Sequence, residues 1–239
     1  MTKLYSKLAI VYHEMYQSIF NYKKEFNFYN KILKKYKSKK ILEIGCGSGN
    51  LAKFFLKAGY NYTGIDLSKE MLKIAKELEP TAKFMHGDMR DLKLKNNFDA
   101  ILITGRSFTY MTTNEEVIQT FKSIHKILRN NGILVFDNFN AKSIFGNFRK
   151  QFIQFARYKN RKYKRVSETS FNLKTGWTWN WYETYYITEN GKTKIIKDND
   201  VLRAFTEDEL SIFLKICNFG VLEFKNLDKF VFVTIARKI

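Results

Sequence analysis

The chain has 239 residues, of which 45% are apolar and 27% are charged, and it carries a formal net charge of +19. This composition is typical of a soluble globular protein, and no stretch approaches the roughly 20 consecutive apolar residues that a membrane-spanning helix needs. The first residues lack the apolar core of a signal peptide, and the chain has only two cysteines. We therefore expect a reduced, cytoplasmic compartment, no membrane partner, no disulfide framework and no metal site.

After a helical lead-in, apolar runs alternate with helical segments over the first 140 residues. Strands are predicted at 41–44, 60–65, 83–86, 98–103 and 133–137. Between the second and third strands, residues 68–79 carry apolar side chains at helical spacing, and Pro80 stands just after them. This order of elements predicts parallel βαβ units.

A second helix is predicted between the fourth and fifth strands. Thr113 followed by Glu116 is a capping-box signature, in which each residue satisfies a backbone N–H of the other. The helix is expected to run toward residue 129 and to be ended by the turn residues 130–132.

The pattern changes after residue 140. Residues 166–197 alternate with period two and are interrupted by turn signals at 174–176 and 190–191, which predicts a three-stranded antiparallel meander. Its middle strand places three tryptophans on one face, namely Trp177, Trp179 and Trp181. We interpret that face as a buried sheet surface or dimer contact and keep a base-stacking platform as the alternative.

The last segment returns to the core. A second capping box, Thr206 with Glu209, opens a helix, and antiparallel strands are expected at 221–223 and 230–235. The predicted fold class is α/β, with a Rossmann-like, doubly wound, mostly parallel seven-stranded sheet. The antiparallel three-stranded insertion precedes the last helix.

Three glycines, Gly45, Gly47 and Gly49, lie where the first strand turns into a helix. Glycine lets the backbone bend there and lets a ligand approach it closely. Asp66 ends the next strand about 20 residues later, where a carboxylate can accept hydrogen bonds from ribose hydroxyls. The spacing differs from that of dinucleotide-binding turns, and the turn lacks the Lys-Ser/Thr of a phosphate-binding loop. Together the turn and the acid indicate a bound adenosine nucleoside.

Segments 42–50, 64–72 and 87–92 resemble the successive cofactor motifs of class I S-adenosylmethionine-dependent methyltransferases. The resemblance implies that the glycine turn contacts the methionine moiety and Asp66 the ribose. Leu67 would contact the adenine face, Asp88 with Met89 the adenine edge, and Thr104 the sulfonium end. The full set of implied cofactor-binding residues is Glu43, Gly45, Cys46, Gly47, Gly49, Asp66, Leu67, Met71, Asp88, Met89 and Thr104.

More narrowly, the chain resembles small-molecule N-methyltransferases, such as the N,N-dimethyltransferases of nucleotide-linked amino sugars and glycine N-methyltransferase. The matching parts are a tyrosine-rich N-terminal helix, segments 87–92 and 108–111, and the antiparallel insertion. The chain departs from that family at His13, where the family often has Asp, and at 105–107. In the sugar enzymes an N-terminal tyrosine lies near the cofactor, and the insertion binds substrate or pairs subunits. The candidate catalytic residues are Tyr16, Tyr22 and Arg106.

Some of these residues also allow a purely structural role. Arg106 follows the fourth strand, where a doubly wound sheet opens its crevice, so it is expected either to bind a substrate anion or to form a structural ion pair. Arg203 and Phe205 follow the meander, where related enzymes place substrate contacts, and they have the same two interpretations.

The leading hypothesis is methyl transfer from S-adenosylmethionine to a nitrogen, or less favourably an oxygen, of a small metabolite by direct in-line displacement. One alternative is an RNA or protein methyltransferase, because the charge of +19 and the basic segment 157–165 would attract a polyanion. We favour a compositional origin of that charge, since its lysines are spread along the chain. The other alternative is a non-catalytic nucleoside-binding protein.

Three units are expected along the chain. Residues 1–140 form the helical lead-in and the cofactor-binding core, 141–205 form the antiparallel insertion, and 206–239 supply the last helix and closing strands. A homodimer through the insertion is one expectation.

Overall fold

The computed structural model describes residues 8–94 and 97–239, and its strands form two sheets. The strands are β1 (Lys40–Ile44), β2 (Asn61–Asp66), β3 (Lys83–His86), β4 (Phe98–Ile103), β5 (Leu128–Phe139), β6 (Gln151–Tyr158), β7 (Arg161–Phe171), β8 (Trp177–Glu189), β9 (Lys192–Ala204), β10 (Phe219–Asn226) and β11 (Val231–Lys238). The helices are α1 (Ala9–Ile19), α2 (Tyr22–Lys35), α3 (Ala52–Lys57), α4 (Lys69–Leu78), α5 (Asn114–Ile127), α6 (Ala141–Gly146) and α7 (Glu207–Ile216), with a 3-10 helix at Ser107–Tyr110.

The larger sheet has seven strands in the order β10-β11-β5-β4-β1-β2-β3. Strands β1 to β5 pair in parallel, whereas β11 pairs antiparallel with both β5 and β10. Its central strands are buried on both faces, as Leu42 on β1 and Leu102 on β4 have no exposed surface. The predicted fold class is confirmed. Parallel pairing brings the carboxyl ends of β1, β2 and β4 to one edge, where doubly wound sheets bind their ligands.

Side-chain caps begin the helices that the sequence predicted. The Ser68 hydroxyl accepts a hydrogen bond from the Met71 N–H at 3.0 Å and starts α4. At α5 the Thr113 hydroxyl accepts from the Glu116 N–H at 3.2 Å, and the Glu116 carboxylate accepts from the Thr113 N–H at 3.2 Å. The predicted capping box at the start of α5 is therefore confirmed.

The predicted end of α5 is wrong. The helix ends at Ile127, and β5 begins at once with Leu128, so the turn residues 130–132 lie within the strand. Asn131 has a positive φ of 60°, and a Cβ on Gly132 would lie 2.8 Å from the Arg129 carbonyl oxygen. A left-handed backbone and a close backbone contact favour Asn and Gly both at the end of a helix and at the irregular start of a strand. Here these residues form an irregular start of β5.

The predicted three-stranded insertion is a four-stranded antiparallel sheet in the order β6-β7-β8-β9. Both predicted turns are present, and the missed strand is β6. Its exposed face carries Ile153 and Phe155, which are 48% and 72% exposed. Apolar side chains therefore stand on both faces of β6, and the alternation that reveals a half-buried strand is hidden.

The smaller sheet packs against α1 and against the end of β5. Leu8, Val11 and Met15 form a buried cluster with Tyr163 of β7 and Tyr185 of β8. Trp179 is 2% exposed and contacts Phe139 at 5.6 Å between ring centroids, whereas Trp177 is 40% exposed. The tryptophan face is therefore buried at its centre, which supports the interpretation as a packed sheet surface.

Arg203 and Phe205 lie in the core, which favours the structural one of their two interpretations. Arg203 is 1% exposed and donates hydrogen bonds to Asn114, at 2.8 Å, and to Glu209. The Thr206 hydroxyl accepts from the Glu209 N–H at 3.1 Å, as a capping box requires. The Glu209 carboxylate, however, pairs with Arg203, so this capping box is only half formed. Among the described residues, no helix is long and apolar enough to span a bilayer.

Candidate active site

The glycine turn leaves β1 with three residues in the left-handed region. Gly45, Gly47 and Gly49 have φ values of 70°, 54° and 73°. The N–H groups of Gly45 and Cys46 donate to the Ile65 carbonyl at 2.8 and 3.0 Å, which fastens the turn to β2. A Cβ on Gly45 would lie 2.6 Å from the Ser107 Cβ, so this position has no room for a larger residue.

Gly47 faces open space, because a Cβ built there would meet no protein atom within 4 Å. It borders a cavity of about 570 Å³ above the carboxyl ends of β1 and β2. This space is here called the turn cavity. Its lining among the described residues consists of Tyr12, Ile44, Gly45, Gly47, Asp66, Leu67, Gly87, Asp88, Met89, Arg90, Gly105, Ser107, Tyr110, Met111, Asp198, Asn199 and Asp200. The structure thus brings Gly45, Gly47, Asp66, Leu67, Asp88 and Met89 together, as their predicted shared role requires.

Three predicted cofactor residues lie behind the turn and do not line the cavity. A Cβ on Gly49 would lie 2.8 Å from the Phe84 ring, so glycine there permits close packing of the turn. Met71 is fully buried, and Cys46 is 7% exposed with its Sγ 2.9 Å from the position of a Cβ on Gly64. Cys46, Gly49 and Met71 support the turn by packing, and their contact with the cofactor stays a prediction.

Asp66 occupies the end of β2 at the cavity wall. Its carboxylate accepts hydrogen bonds from the Gly47 N–H and the Ser68 N–H, both at 2.8 Å. Burial raises the pKa of Asp66, and these backbone donors oppose that shift. A carboxylate has about four lone-pair sites, so two acceptor sites remain for a pair of hydroxyls.

Asp88 is held in place by an arginine. Its carboxylate accepts from Arg90 at 2.6 Å, and Arg90 also pairs with Glu116 at 2.6 Å. The hydrogen bond from Arg90 lowers the pKa of Asp88, so this acid is charged at neutral pH. The ion pair fixes an acceptor at the wall of the turn cavity beside Met89.

Glu43 and Thr104 do not line the turn cavity, and their contact with the cofactor stays a prediction. Glu43 is 2% exposed, and its carboxylate accepts from the Tyr62 hydroxyl at 2.5 Å and from the Thr104 hydroxyl at 2.7 Å. Burial raises the pKa of Glu43 to about 7. The three side chains join β1, β2 and β4 at the edge of the sheet where the ligand-binding turns begin.

A second cavity of about 580 Å³, here called the sheet cavity, lies between α1 and the inner face of the smaller sheet. The candidate residues Tyr16 and Arg106 line it, together with Phe152, Trp179 and Trp181. Tyr22 is absent from the lining, and its ring lies 6.3 Å from that of Phe20. Phe20 lines the cavity and Tyr22 does not, so the structure does not bring Tyr22 together with Tyr16 and Arg106, and its catalytic role stays a prediction.

Arg106 is held by a buried acid. Its backbone has a φ of 64°, and its N–H donates to the Asp137 carboxylate at 2.7 Å. Its guanidinium lies 4.9 Å from the Phe20 ring centroid. Burial would lower the pKa of Arg106, but the charges of Asp137 and Glu25 outweigh it and raise the pKa. The loop after β4 thus presents a permanent positive charge to the sheet cavity.

Helix α1 is fastened to the glycine turn by two side-chain contacts that the sequence did not reveal. The His13 Nδ1 lies 2.9 Å from the Ser48 hydroxyl, and the Gln17 amide donates to Asn50 at 2.6 Å. Burial lowers the pKa of His13, so its ring is neutral at physiological pH. His13 therefore positions α1 across the turn, and Tyr12 next to it borders both cavities.

Four charged residues project from the inner face of the smaller sheet, namely Arg165, Glu183, Asp198 and Asp200. Arg165 is 5% exposed and donates to Glu183 at 3.1 Å and to the Tyr16 hydroxyl at 2.9 Å. The register pairs Glu183 with Asp198 and Trp181 with Asp200. None of these residues was singled out from the sequence. Only Glu183 lies within the predicted meander 166–197, and Arg165, Asp198 and Asp200 lie just beyond its ends.

The two cavities meet at four residues that line both of them, namely Tyr12, Gly105, Tyr110 and Asp200. Gly105 has a φ of 65°, and a Cβ there would meet no protein atom within 4 Å. Backbone without a side chain therefore separates the two spaces at this point. A ligand group in one cavity can reach a ligand group in the other.

Comparisons with known proteins agree with this geometry. Residues 41–132 match the family model described as a methyltransferase domain. The chain is 38% identical over 102 residues to the putative methyltransferase YqeM of Bacillus subtilis, covering 41% of each chain. It is 33% identical over 95 residues to the dTDP-3-amino-3,4,6-trideoxy-alpha-D-glucopyranose N,N-dimethyltransferase of Streptomyces venezuelae, covering 40% of each. The chain spans less than half the length of these curated relatives.

Two solved structures share the whole fold. Streptomyces venezuelae DesVI has a TM-score of 0.83 at 22% identity, over 95% of this chain and 97% of that one. CalS10, an amino pentose methyltransferase from Micromonospora echinaspora solved with S-adenosylmethionine bound, has a TM-score of 0.79 at 18% identity, over 96% and 97% of the two chains. The predicted resemblance to class I methyltransferases is confirmed by the family match, and the two structures confirm the fold.

Proposed function

We propose that this protein is an S-adenosylmethionine-dependent methyltransferase that methylates a nitrogen of a small molecule. The observation that carries the proposal is the junction of the turn cavity with the sheet cavity at Tyr12, Gly105, Tyr110 and Asp200. A methyltransferase needs a donor and an acceptor site that touch, since alignment of the two reactants supplies much of the rate. The family match and the named relatives agree with this activity.

The residues of the turn cavity fit the cofactor. The two free acceptor positions of Asp66 suit the ribose hydroxyls, and the exposed side of Leu67, which is 39% exposed, suits an adenine face. Gly47 and Gly105 leave room where a Cβ would stand. When bound, S-adenosylmethionine supplies a methyl carbon that the acceptor attacks with a lone pair, while the electrons of the broken carbon–sulfur bond stay on sulfur.

The sheet cavity suits a small acceptor with an amine. Its volume of about 580 Å³ and its walls of Phe152, Trp179 and Trp181 match an enclosed small-molecule site. The acids Glu183 and Asp200 line the cavity, and their negative charge favours an ammonium ion and disfavours an alkoxide. Arg106 gives the same cavity a positive group that could hold an anionic part of the acceptor, as in the nucleotide-linked amino sugar named for one relative.

An RNA or protein acceptor is less well supported, because Arg165 is the one basic residue of segment 157–165 that lines a cavity. In β7 the side chains alternate, so Tyr163 and Arg165 are buried while Lys162 is exposed on the opposite face. The lysines that motivated the polyanion hypothesis therefore lie outside both cavities. The described lining of the sheet cavity includes Arg149 and Arg165 but no lysine.

The test is a methyl-transfer assay with radiolabelled S-adenosylmethionine against separate panels of amino sugars, amino acids, hydroxylated metabolites, RNA and protein. The proposal predicts label in a small amine, with the product identified by mass spectrometry. Label only in RNA, only in protein or only on oxygen would contradict it. Titration of S-adenosylhomocysteine into the protein by calorimetry serves as the control, since the cofactor site must bind the product whatever the acceptor is.

A further inference from the structure

Asp200 stands at the meeting point of the two cavities. Of the four residues that line both, it alone carries a carboxylate. On β9 the inner face presents Asp198, Asp200 and Leu202 in alternation, which directs Asp200 toward the site. Within the described part of the chain, no donor forms a hydrogen bond to the Asp200 carboxylate. None of the described residues therefore occupies the carboxylate oxygens that a ligand at the junction would contact.

The charges around Asp200 favour a cation. Asp198 lies two residues away on β9, and Glu183 lies on the neighbouring strand β8. Arg165 on β7 is engaged with Glu183 at 3.1 Å, and Arg106 comes from the loop after β4. Helix α1 and the 3-10 helix line the two cavities with uncharged side chains, among them Tyr12, Tyr16 and Tyr110. Asp198 and Glu183 thus place negative charge beside Asp200, and an added positive charge at the junction lowers that repulsion.

Burial, together with the charges of Asp198 and Glu183, raises the pKa of Asp200 to about 7. A carboxyl group with such a pKa exchanges protons readily near neutral pH, which is the condition for an efficient general base. A bound ammonium ion would lower the pKa again, so the acid is charged while the amine is being captured.

We propose that Asp200 binds the protonated amine of the acceptor and removes the proton that the nitrogen must lose before it can be methylated. This inference rests on the proposed function and assigns the proton transfer to one residue. The N–H bond breaks and its electron pair stays on nitrogen as the attacking lone pair, while an O–H bond forms on the Asp200 carboxylate. The acceptor class that follows is a primary or secondary aliphatic amine, since such amines are protonated at neutral pH.

A binding experiment tests this without knowledge of the acceptor. Sinefungin is an analogue of S-adenosylmethionine in which a carbon with an amino group replaces the sulfonium and its methyl, so it carries an ammonium ion to the junction. S-adenosylhomocysteine has no group there. Calorimetry with both ligands, on the unmodified protein, Asp200→Asn and the control Asp208→Asn on the exposed first turn of α7, isolates the interaction of the amine with Asp200.

The unmodified protein and Asp208→Asn should bind sinefungin roughly tenfold or more tightly than S-adenosylhomocysteine, the ratio expected of one charge-assisted hydrogen bond. Asp200→Asn should lose that ratio and keep the affinity for S-adenosylhomocysteine. An unchanged ratio in Asp200→Asn would overturn the inference and leave the proposed function standing. Failure of the unmodified protein to bind either ligand would overturn the proposed function and the inference with it.

The pH dependence of the unmodified protein gives a second readout that does not depend on folding of the variant. Between about pH 8 and about pH 5 the ammonium of sinefungin stays charged, whereas Asp200 gains a proton. The preference for sinefungin over S-adenosylhomocysteine should therefore fall as the pH falls. A preference that is constant over this range would contradict the assignment to Asp200.

Discussion

The two cavities are built in different ways. The turn cavity is formed by backbone turns and short-range contacts, such as the Asp66 carboxylate with the N–H groups of Gly47 and Ser68. The sheet cavity is formed by buried side chains that are far apart in the chain, such as Arg165 with the hydroxyl of Tyr16. The first arrangement fixes one ligand by its main-chain geometry, whereas the second can be altered residue by residue without disturbing the first.

The largest expected effect comes from removing the Arg165–Glu183 ion pair on the inner face of the smaller sheet. Arg165→Met should lower the free energy of unfolding by about 3 kcal/mol at about pH 8, because it leaves Glu183 buried without its partner. Burial already raises the pKa of Glu183, so in the variant this acid takes up a proton as the pH falls, and the loss should shrink toward about pH 5. Denaturant unfolding at both pH values measures this.

Lys162→Met is the matched control for that variant. It removes the same charge from the same strand on the exposed face, where a substitution should cost less than about 0.5 kcal/mol. Equal losses for Arg165→Met and Lys162→Met would show that the inner face is not organised around a buried ion pair.

The next effect concerns the turn cavity. Asp66→Ala should weaken S-adenosylhomocysteine binding on the order of a hundredfold, since it removes a charged acceptor of two ligand hydrogen bonds and frees two backbone donors. Tyr16→Phe, in the sheet cavity, should leave that affinity within about twofold. Calorimetry on both variants decides whether the turn cavity binds its ligand independently of the sheet cavity. Comparable losses of affinity in both variants would mean that the two cavities act as one site.

The smallest expected effects come from alanine substitutions at two glycines of the same turn, Gly47 and Gly49. Gly49→Ala places a Cβ 2.8 Å from Phe84 at a φ of 73°, and it should destabilise the protein by about 2 kcal/mol. Gly47→Ala has only the backbone strain, about 1 kcal/mol, but should weaken S-adenosylhomocysteine binding because the new methyl group enters the turn cavity. Thermal unfolding and calorimetry together should show these opposite patterns. The reverse assignment would contradict the division into packing and ligand-facing glycines.

The same contrast explains what the sequence could predict. The parallel sheet, the glycine turn and Asp66 follow from local patterns, because strand, turn and helix signals are read within about 30 residues. The junction with Asp200 could not be predicted, since it depends on how β9 packs against α1, nearly 190 positions earlier in the chain. Strand β6 was missed for a different reason, namely that Ile153 and Phe155 stand exposed on its outer face.

Among the cofactor residues, the sequence could not separate contact from support. Glu43 and Thr104 belong to the motif segment and its neighbouring strand end, yet they hydrogen-bond to each other and do not line the turn cavity. The sequence motif includes residues that support the turn as well as residues that line the cavity, and the packed structure is needed to tell the two groups apart. His13 is the converse case, because its contact with Ser48 is visible only once α1 is placed over the turn.

A crystal structure of the protein with S-adenosylhomocysteine bound would show whether the two cavities are the donor and acceptor sites. We expect the ribose hydroxyls on the Asp66 carboxylate, and the sulfur at the junction bordered by Tyr12, Gly105, Tyr110 and Asp200, facing the sheet cavity. A ligand bound outside the turn cavity, or one whose sulfur points away from that junction, would contradict this expectation.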